Sequence, residues 1–334
     1  MSAERPMVAV AAPATRVEAV RSPAVPLRQR LGPLAGLAAL STALAVASPH
    51  FLTVDNLLNV LRQSAINAIL ALGQLIVIVT AGIDLSIGSI LGVTNVTLAL
   101  LLTGGWPPAL ACAAVLALGA AIGLANGLLL TKLRLPHPFI STLGTMNVAR
   151  GAALLLAGGV PISGLPAGFR EAFAGEALGI PMPVVVAAVA CLLGHVVLTR
   201  TVYGRDLYAI GGNREAARLS GIPIDRRLNL AYALSGAAAA LAAIVLAARM
   251  NSGFPLAGAG AELDATAAVI IGGASIFGGV GTVGGTLIGA VIIGFLRNGL
   301  NLLDVSAYWQ MVVIGAVIVA AVWIDGLRQR AARE

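Results

Sequence analysis

The sequence predicts an all-α integral membrane protein, and three observations support this fold class. Apolar residues make up 58% of the 334 positions, charged residues make up 10%, and the mean hydropathy is +0.95. A soluble domain is typically about 25% charged, so this chain has too few charged groups to cover a water-facing surface. Apolar runs recur along the chain, several of them near the roughly 20 residues that a membrane helix needs.

The apolar runs divide the chain into a membrane domain and two tails. Residues 1–30 have no apolar period and are predicted to be a disordered cytoplasmic tail, and residues 328–334 a second cytoplasmic tail. Between them, residues 31–327 are predicted to form a single transmembrane domain. It contains about ten predicted spans, near residues 31–48, 66–81, 87–103, 108–131, 138–157, 181–199, 228–248, 264–279, 283–297 and 308–325.

The basic residues predict how these spans are oriented. Most of the 21 basic residues fall before the first span, near 132–134, in the loop 200–227, or after the last span. Because cytoplasmic loops carry an excess of Lys and Arg, ten spans with both termini in the cytoplasm satisfy this distribution. The net charge of +7 is therefore assigned to orientation in the lipid bilayer, and no nucleic-acid partner is predicted.

A weak internal repeat adds to this plan. "IDLSIGSILG" (83–92) aligns without gaps with "LDATAAVIIG" (263–272), which matches Asp84 to Asp264. Further along, "IGLANGLLL" (122–130) resembles "IGFLRNGLNLL" (293–303). In the ten-span topology the two aspartates lie near opposite faces of the membrane. Two inverted four-helix repeats, a frequent plan among transporters, are therefore predicted.

Motifs for nucleotide, metal or catalytic chemistry are not expected to function here. "GGVGTVGG" contains G-x-G-x-x-G, but that fingerprint requires a strand within a soluble βαβ unit, so close packing of helices through small residues is the preferred interpretation. The chain has no phosphate-binding G-x-x-x-x-G-K-[ST] motif. Cys112 and Cys191 lie in apolar runs without metal-ligand spacing, so no metal site, no catalytic residues and no cofactor in this chain are predicted.

Polar residues inside the predicted spans are the candidates for a substrate pathway, because such groups are costly unless they find partners or line a cavity. In "TAGIDLSIGS" the two glycines suggest a helix break capped by an aspartate or a serine. This break could merely shape the bundle, or its polar groups could line a path for an uncharged polyhydroxylated solute. The candidate pathway residues are Asp84, Ser86, Asn95, Asn126, Thr145, Asn147 and Arg150.

A short charged helix is predicted inside the cytoplasmic loop 200–227. In "YAIGGNREAARLSGI" (208–222) the asparagine is a good N-cap, the glutamate suits the helix N-terminus, and the glycine followed by proline ends the helix. Because an isolated helix of about eight residues is marginal in water, its exposed alanines and leucine are expected to dock into a partner. The predicted docking residues are Asn213, Arg214, Glu215, Ala216, Ala217, Arg218, Leu219 and Gly221.

This loop and two other blocks resemble a known family. The E-A-A-x-x-x-G pattern resembles the coupling loop of ABC importer permeases. Together with "NLLNVLRQSAINAILALGQLIVIVTAGIDLSIGSILG" (56–92) and "ELDATAAVIIGGASIFGGVGTVGGTLIGAVIIGFLRNGLNLLDVSAYWQMVV" (262–313), it is similar to the ribose-type sugar permeases of bacterial importers. The resemblance extends from about residue 34 to 326.

The resemblance implies a multi-pass permease of the bacterial inner membrane that acts as a homodimer. Its implied partners are a cytoplasmic ATPase with two nucleotide-binding domains, which would use ATP and Mg, and a periplasmic sugar-binding protein. Two alternatives remain open at the level of the sequence. One is a branched-chain amino-acid ABC permease; the other is a facilitator or secondary carrier that works without an ATPase and has no use for the short helix.

Overall fold

The computed structural model describes residues 27–331, which contain thirteen helices and four two-residue strands. The helices are α1 Leu27–Ala47, α2 Val54–Ile78, α3 Ile87–Thr103, α4 Pro108–Lys132, α5 Pro138–Ala157, α6 Ala167–Ala174, α7 Met182–Arg200, α8 Val202–Gly212, α9 Arg214–Leu219, α10 Ile224–Met250, α11 Ala261–Ile271, α12 Val283–Leu302 and α13 Ala307–Ala331. The strands are β1 Ile162–Ser163, β2 Glu176–Ala177, β3 Ile180–Pro181 and β4 Ser252–Gly253, with β1 antiparallel to β4 and β2 antiparallel to β3.

The tails predicted from the sequence fall largely outside the described residues. The exceptions are the last four residues of the first tail, which begin α1, and the first four residues of the second tail, which end α13. Their cytoplasmic position remains a prediction.

Each of the ten predicted apolar runs overlaps a helix, and the structure is that of a multi-pass membrane protein. Within the described residues, six helices are long and apolar enough to cross a bilayer, namely α2, α4, α5, α7, α10 and α12. The eighth predicted run, 264–279, is wrong in its extent, because α11 ends at Ile271. Its eleven residues span about 16 Å, which is short of the roughly 30 Å hydrocarbon core. The count of ten spans stays a prediction.

Helices α2 and α10 form the centre of the bundle, where α2 is buried along its second half. Helix α10 packs most closely on α4, and a Cβ added to Gly123 would overlap the backbone carbonyl of Tyr232. Gly119 and Gly236 meet in the same way, each without room for a side chain. Small residues permit this approach of two backbones, which van der Waals packing stabilises within a membrane.

The connections between helices gather at two opposite ends of the bundle. At one end the link between α11 and α12 contacts the end of α2, where the Gly279 N–H donates to the Val79 carbonyl at 2.9 Å. At the other end β1 pairs with β4, and Arg62 in the first half of α2 forms an ion pair with Glu176 of β2. Helices α8 and α9 lie at the first of these ends.

Candidate functional site

The N-terminus of α9 is built as its sequence predicts. Asn213 is extended (φ −156°, ψ 102°), and its side-chain oxygen accepts a hydrogen bond from the Ala216 N–H at 2.9 Å. This bond satisfies one of the free N–H groups of the first turn. Asn213 also separates α8 from α9.

The C-terminus of α9 is closed by a Schellman motif. The Ile222 N–H donates to the Ala217 carbonyl at 3.1 Å, and the Gly221 N–H donates to the Arg218 carbonyl at 3.0 Å. Gly221 has a φ of +79°, the left-handed conformation that favours glycine. The predicted end of the helix is therefore present, although α9 has six residues, fewer than the expected eight.

One prediction about the surface of α9 is wrong. Ala217 is buried at 4% exposure, in a cluster with Ile210 of α8 and Tyr232 of α10. It therefore anchors α9 to the bundle and does not face outward. Ala216 is exposed, and Leu219 is 77% exposed. The surface that α9 offers to a partner is thus narrower than expected.

The outward surface of α9 carries charged side chains beside its exposed apolar groups. Glu215 and Arg218 form an ion pair of 2.6 Å, in which the arginine lowers the pKa of Glu215 and the carboxylate raises the pKa of Arg218. Since both side chains are well exposed, this pair adds little stability. Beside it lies an open cavity of about 570 Å³, lined by charged side chains such as Arg214 and Asp225 and by the apolar residues Ile222, Pro223 and Ile224.

The predicted helix break between α2 and α3 is confirmed, and it holds a buried polar network. The Asp84 carboxylate accepts from the Ser86 N–H at 2.9 Å, from the Ser86 hydroxyl at 2.6 Å and from the Ser235 hydroxyl of α10 at 2.8 Å. The Asn126 side-chain amide of α4 donates to the Ser86 hydroxyl at 2.7 Å. The Ser86 side chain forms no cap bond to the first turn of α3, so the aspartate organises the break. Ser235 was missed by the sequence analysis.

Asp84→Ala is expected to destabilise the protein by about 3 kcal/mol or more, because three buried donors lose their common acceptor. Asp84→Asn keeps the shape and one oxygen acceptor, so a smaller loss of about 1 kcal/mol is expected. Thermal unfolding of both variants in detergent measures the difference. Equal stability of Asp84→Ala and the parent chain would contradict the network's role.

The remaining candidate pathway residues lie apart from this network. Asn95 is fully buried and binds backbone groups on both sides, the Ala243 carbonyl at 3.1 Å and the Phe254 N–H at 2.9 Å. Thr145 and Arg150 are half-buried on α5, and Asn147 of the same helix is exposed. The candidates therefore form a buried group and a group on α5, and their role in a pathway stays a prediction.

Arg150 holds an irregular segment that follows β4. Its guanidinium donates to the carbonyls of Pro255 at 3.1 Å and Ala257 at 2.8 Å. An ion pair, Arg297 with Asp264 at 2.7 Å, joins α12 to α11. This pair was not predicted, although both residues stand out as charges within apolar runs. Among the described residues, no three His, Cys, Asp or Glu side chains could hold a metal ion together.

The described helices form a multi-pass membrane bundle with a short capped helix at one end, as expected of a membrane permease. The chain belongs to the family described as branched-chain amino acid transport system / permease component, whose model matches residues 56–322. It is therefore a transport subunit and not an enzyme, and the sequence resemblance to importer permeases is confirmed.

Curated relatives cover most of the chain. It is 46% identical to the ribose import permease protein RbsC of Bacillus subtilis over 299 residues, 89% of this chain and 92% of the relative. It is 44% identical to the protein of the same name from Escherichia coli K12, covering 89% of this chain and 93% of the relative. The galactose/methyl galactoside import permease protein MglC of Escherichia coli K12 is 39% identical to the chain, and the match covers 84% of this chain and 89% of the relative. No solved structure matches the chain.

Proposed function

We propose that this protein is the permease subunit of an ABC importer for a monosaccharide, a pentose, hexose or related polyol. Its relatives carry the names of ribose, galactose and allose permeases, which supports a sugar more strongly than the amino acids in the family's description. The observation that carries the importer mechanism is α9, a capped helix with an exposed leucine at the end of the bundle.

Each proposed partner has a separate role in transport. A cytoplasmic ATPase with two nucleotide-binding domains binds α9 and uses ATP and Mg, and a periplasmic sugar-binding protein delivers the substrate to the opposite end. Two copies of this chain form the path across the bacterial inner membrane. No cofactor is assigned to the chain itself.

The packing of the helices supports the proposed ten-span topology with two inverted repeats. Helix α2 packs on α11 and α12, and in the same way α10 packs on α3 and α4, so the first helix of each half contacts the second and third helices of the other. The links that should lie in the cytoplasm in this topology also share one end of the bundle with α9, as the contact between Gly279 and Val79 exemplifies.

A physical connection between α9 and the helix break suggests how the motion of the ATPase reaches the path. Buried Ala217 of α9 and buried Val77 of α2 belong to the same apolar cluster as Tyr232. The Tyr232 hydroxyl lies against Gly82, where an added Cβ would be 2.8 Å from it. We propose that displacement of α9 shifts this cluster and the break, while Thr145, Asn147 and Arg150 of α5 line the path.

Reconstituted transport tests this function. The chain is placed in proteoliposomes with its ATPase and binding protein, and uptake of labelled ribose, galactose, allose and leucine is measured with and without ATP. ATP-dependent uptake of one of the sugars is expected. Uptake of leucine alone would favour the amino-acid alternative, and uptake without ATP would favour a facilitator.

A further inference from the structure

The glycine-rich link between α11 and α12 forms a folded turn, and the close helix contact expected from the sequence is made just after it, where Gly285 of α12 meets the backbone of Gly272. Gly278 and Gly279 have φ values of +86° and +73°. The Gly279 N–H donates to the Val79 carbonyl at 2.9 Å, and the Tyr208 hydroxyl of α8 donates to the Gly281 carbonyl at 2.8 Å. The link is therefore fixed to the ends of α2 and α8.

This link lies directly against the residues that precede α9. A Cβ added to Gly278 would be 2.9 Å from the Cα of Gly211, and one added to Gly279 would be 3.0 Å from the Cα of Gly212. The next residue, Asn213, is the N-cap of α9. The turn and the short helix are thus neighbouring parts of one surface.

Two apolar side chains are presented on this turn. Phe277 is 60% exposed and Val280 is 37% exposed. Their positions are held by the backbone, because the Ser275 N–H donates to the Val280 carbonyl at 3.0 Å and the Gly278 N–H donates to the Ser275 carbonyl at 3.1 Å. A rigid turn that exposes a phenyl ring is suited to an interface, where aromatic residues are enriched.

We propose that the turn 275–280 is a second contact surface for the cytoplasmic ATPase, with Phe277 as its anchor. The proposal rests on the proposed function, because it extends the ATPase-binding surface of α9. Helix α9 is about 9 Å long, whereas a standard interface covers about 800 Å² on each partner, a patch roughly 30 Å across. A subunit bound to α9 therefore also covers the adjoining turn.

Thiol labelling tests this contact. Cys112 and Cys191 are buried, so a cysteine introduced at Phe277 supplies the accessible thiol. In proteoliposomes, a membrane-impermeant maleimide is applied to the side that bears α9, and it is expected to label Phe277→Cys readily. When the ATPase is bound, the labelling rate is expected to fall at least about tenfold. Leu133→Cys is the matched control, since this leucine is 65% exposed at the same end, in the link between α4 and α5. Its labelling rate is expected to stay unchanged.

The possible outcomes separate this proposal from the proposed function. Phe277→Ala is expected to weaken binding of the ATPase about tenfold, as truncation of an anchoring side chain does, and Phe277→Leu less. Slow labelling of Phe277→Cys without the ATPase would place the ring in lipid and overturn the proposal. Equal protection of the two thiols by the ATPase would also overturn it. If disruption of α9 releases the ATPase while Phe277→Ala binds it normally, the second contact alone is wrong. If neither change affects binding, both proposed contacts are wrong, whereas a parent chain that binds no ATPase would refute the proposed function.

Discussion

Gly123→Val is expected to prevent accumulation of the folded protein. A Cβ at this position overlaps the backbone carbonyl of Tyr232, and backbone atoms within two packed helices cannot move aside as a flexible side chain can. Overpacking of this kind typically costs 1–3 kcal/mol where the neighbours can relax, and we expect at least about 3 kcal/mol here. Size-exclusion chromatography of a fluorescent fusion measures the fraction of folded, monodisperse protein.

Gly315→Val is the matched control for this change. Gly315 also lies within a helix, α13, but an added Cβ there has no atom within 4 Å and the residue is exposed. Its elution profile is expected to match that of the parent chain. A normal profile for Gly123→Val would show that α4 and α10 are not packed backbone to backbone in the folded protein.

Gly221→Pro is expected to abolish uptake while leaving the bundle folded. Proline holds φ near −65°, whereas Gly221 has a φ of +79°, and its N–H donates to the Arg218 carbonyl in the Schellman motif. The change therefore removes the end of α9 and redirects the chain that joins it to α10. Because Gly221 is exposed and an added Cβ there has no atom within 4 Å, the membrane helices are unaffected.

The measurement combines sugar uptake in proteoliposomes with co-purification of the ATPase. Gly221→Asn is the matched control, because asparagine tolerates the left-handed conformation, and it is expected to retain most of the uptake. Glu215→Arg, which sets a positive charge beside Arg218, is expected to weaken binding of the ATPase. Full uptake by Gly221→Pro would rule out α9 as the coupling element.

Local features of the structure were accessible from the sequence. Hydropathy located a helix at each apolar run, and the glycines around Asp84 located the break between α2 and α3. Asn213 and Gly221 marked both ends of α9, because caps depend on the residue type at a few adjacent positions. Family-specific blocks then indicated the class of protein.

Features that depend on packing between distant parts of the chain could not be predicted from the sequence in the same way. Residues beyond Ile271 are apolar, but apolarity does not require helicity, and glycines with positive φ at Gly273 and Gly278 turn the chain away. Ser235 reaches Asp84 only because α10 packs beside the break. Burial of Ala217 likewise depends on Tyr232, which lies on another helix. Contacts between residues that are distant in the sequence leave no signal in the local sequence.

The backbone contact between α4 and α10 determines which parts of the protein can move. Since Gly119 and Gly236 bring the two main chains together without intervening side chains, sliding or rotating one helix past the other would force backbone atoms into overlap. The pair is therefore expected to move as one rigid body, and hinge motion is expected at the break 79–86 and at the non-helical residues on either side of the fixed turn 275–280. Both regions lie at the end that carries α9, so we expect that a small movement of the proposed ATPase at α9 acts directly beside them.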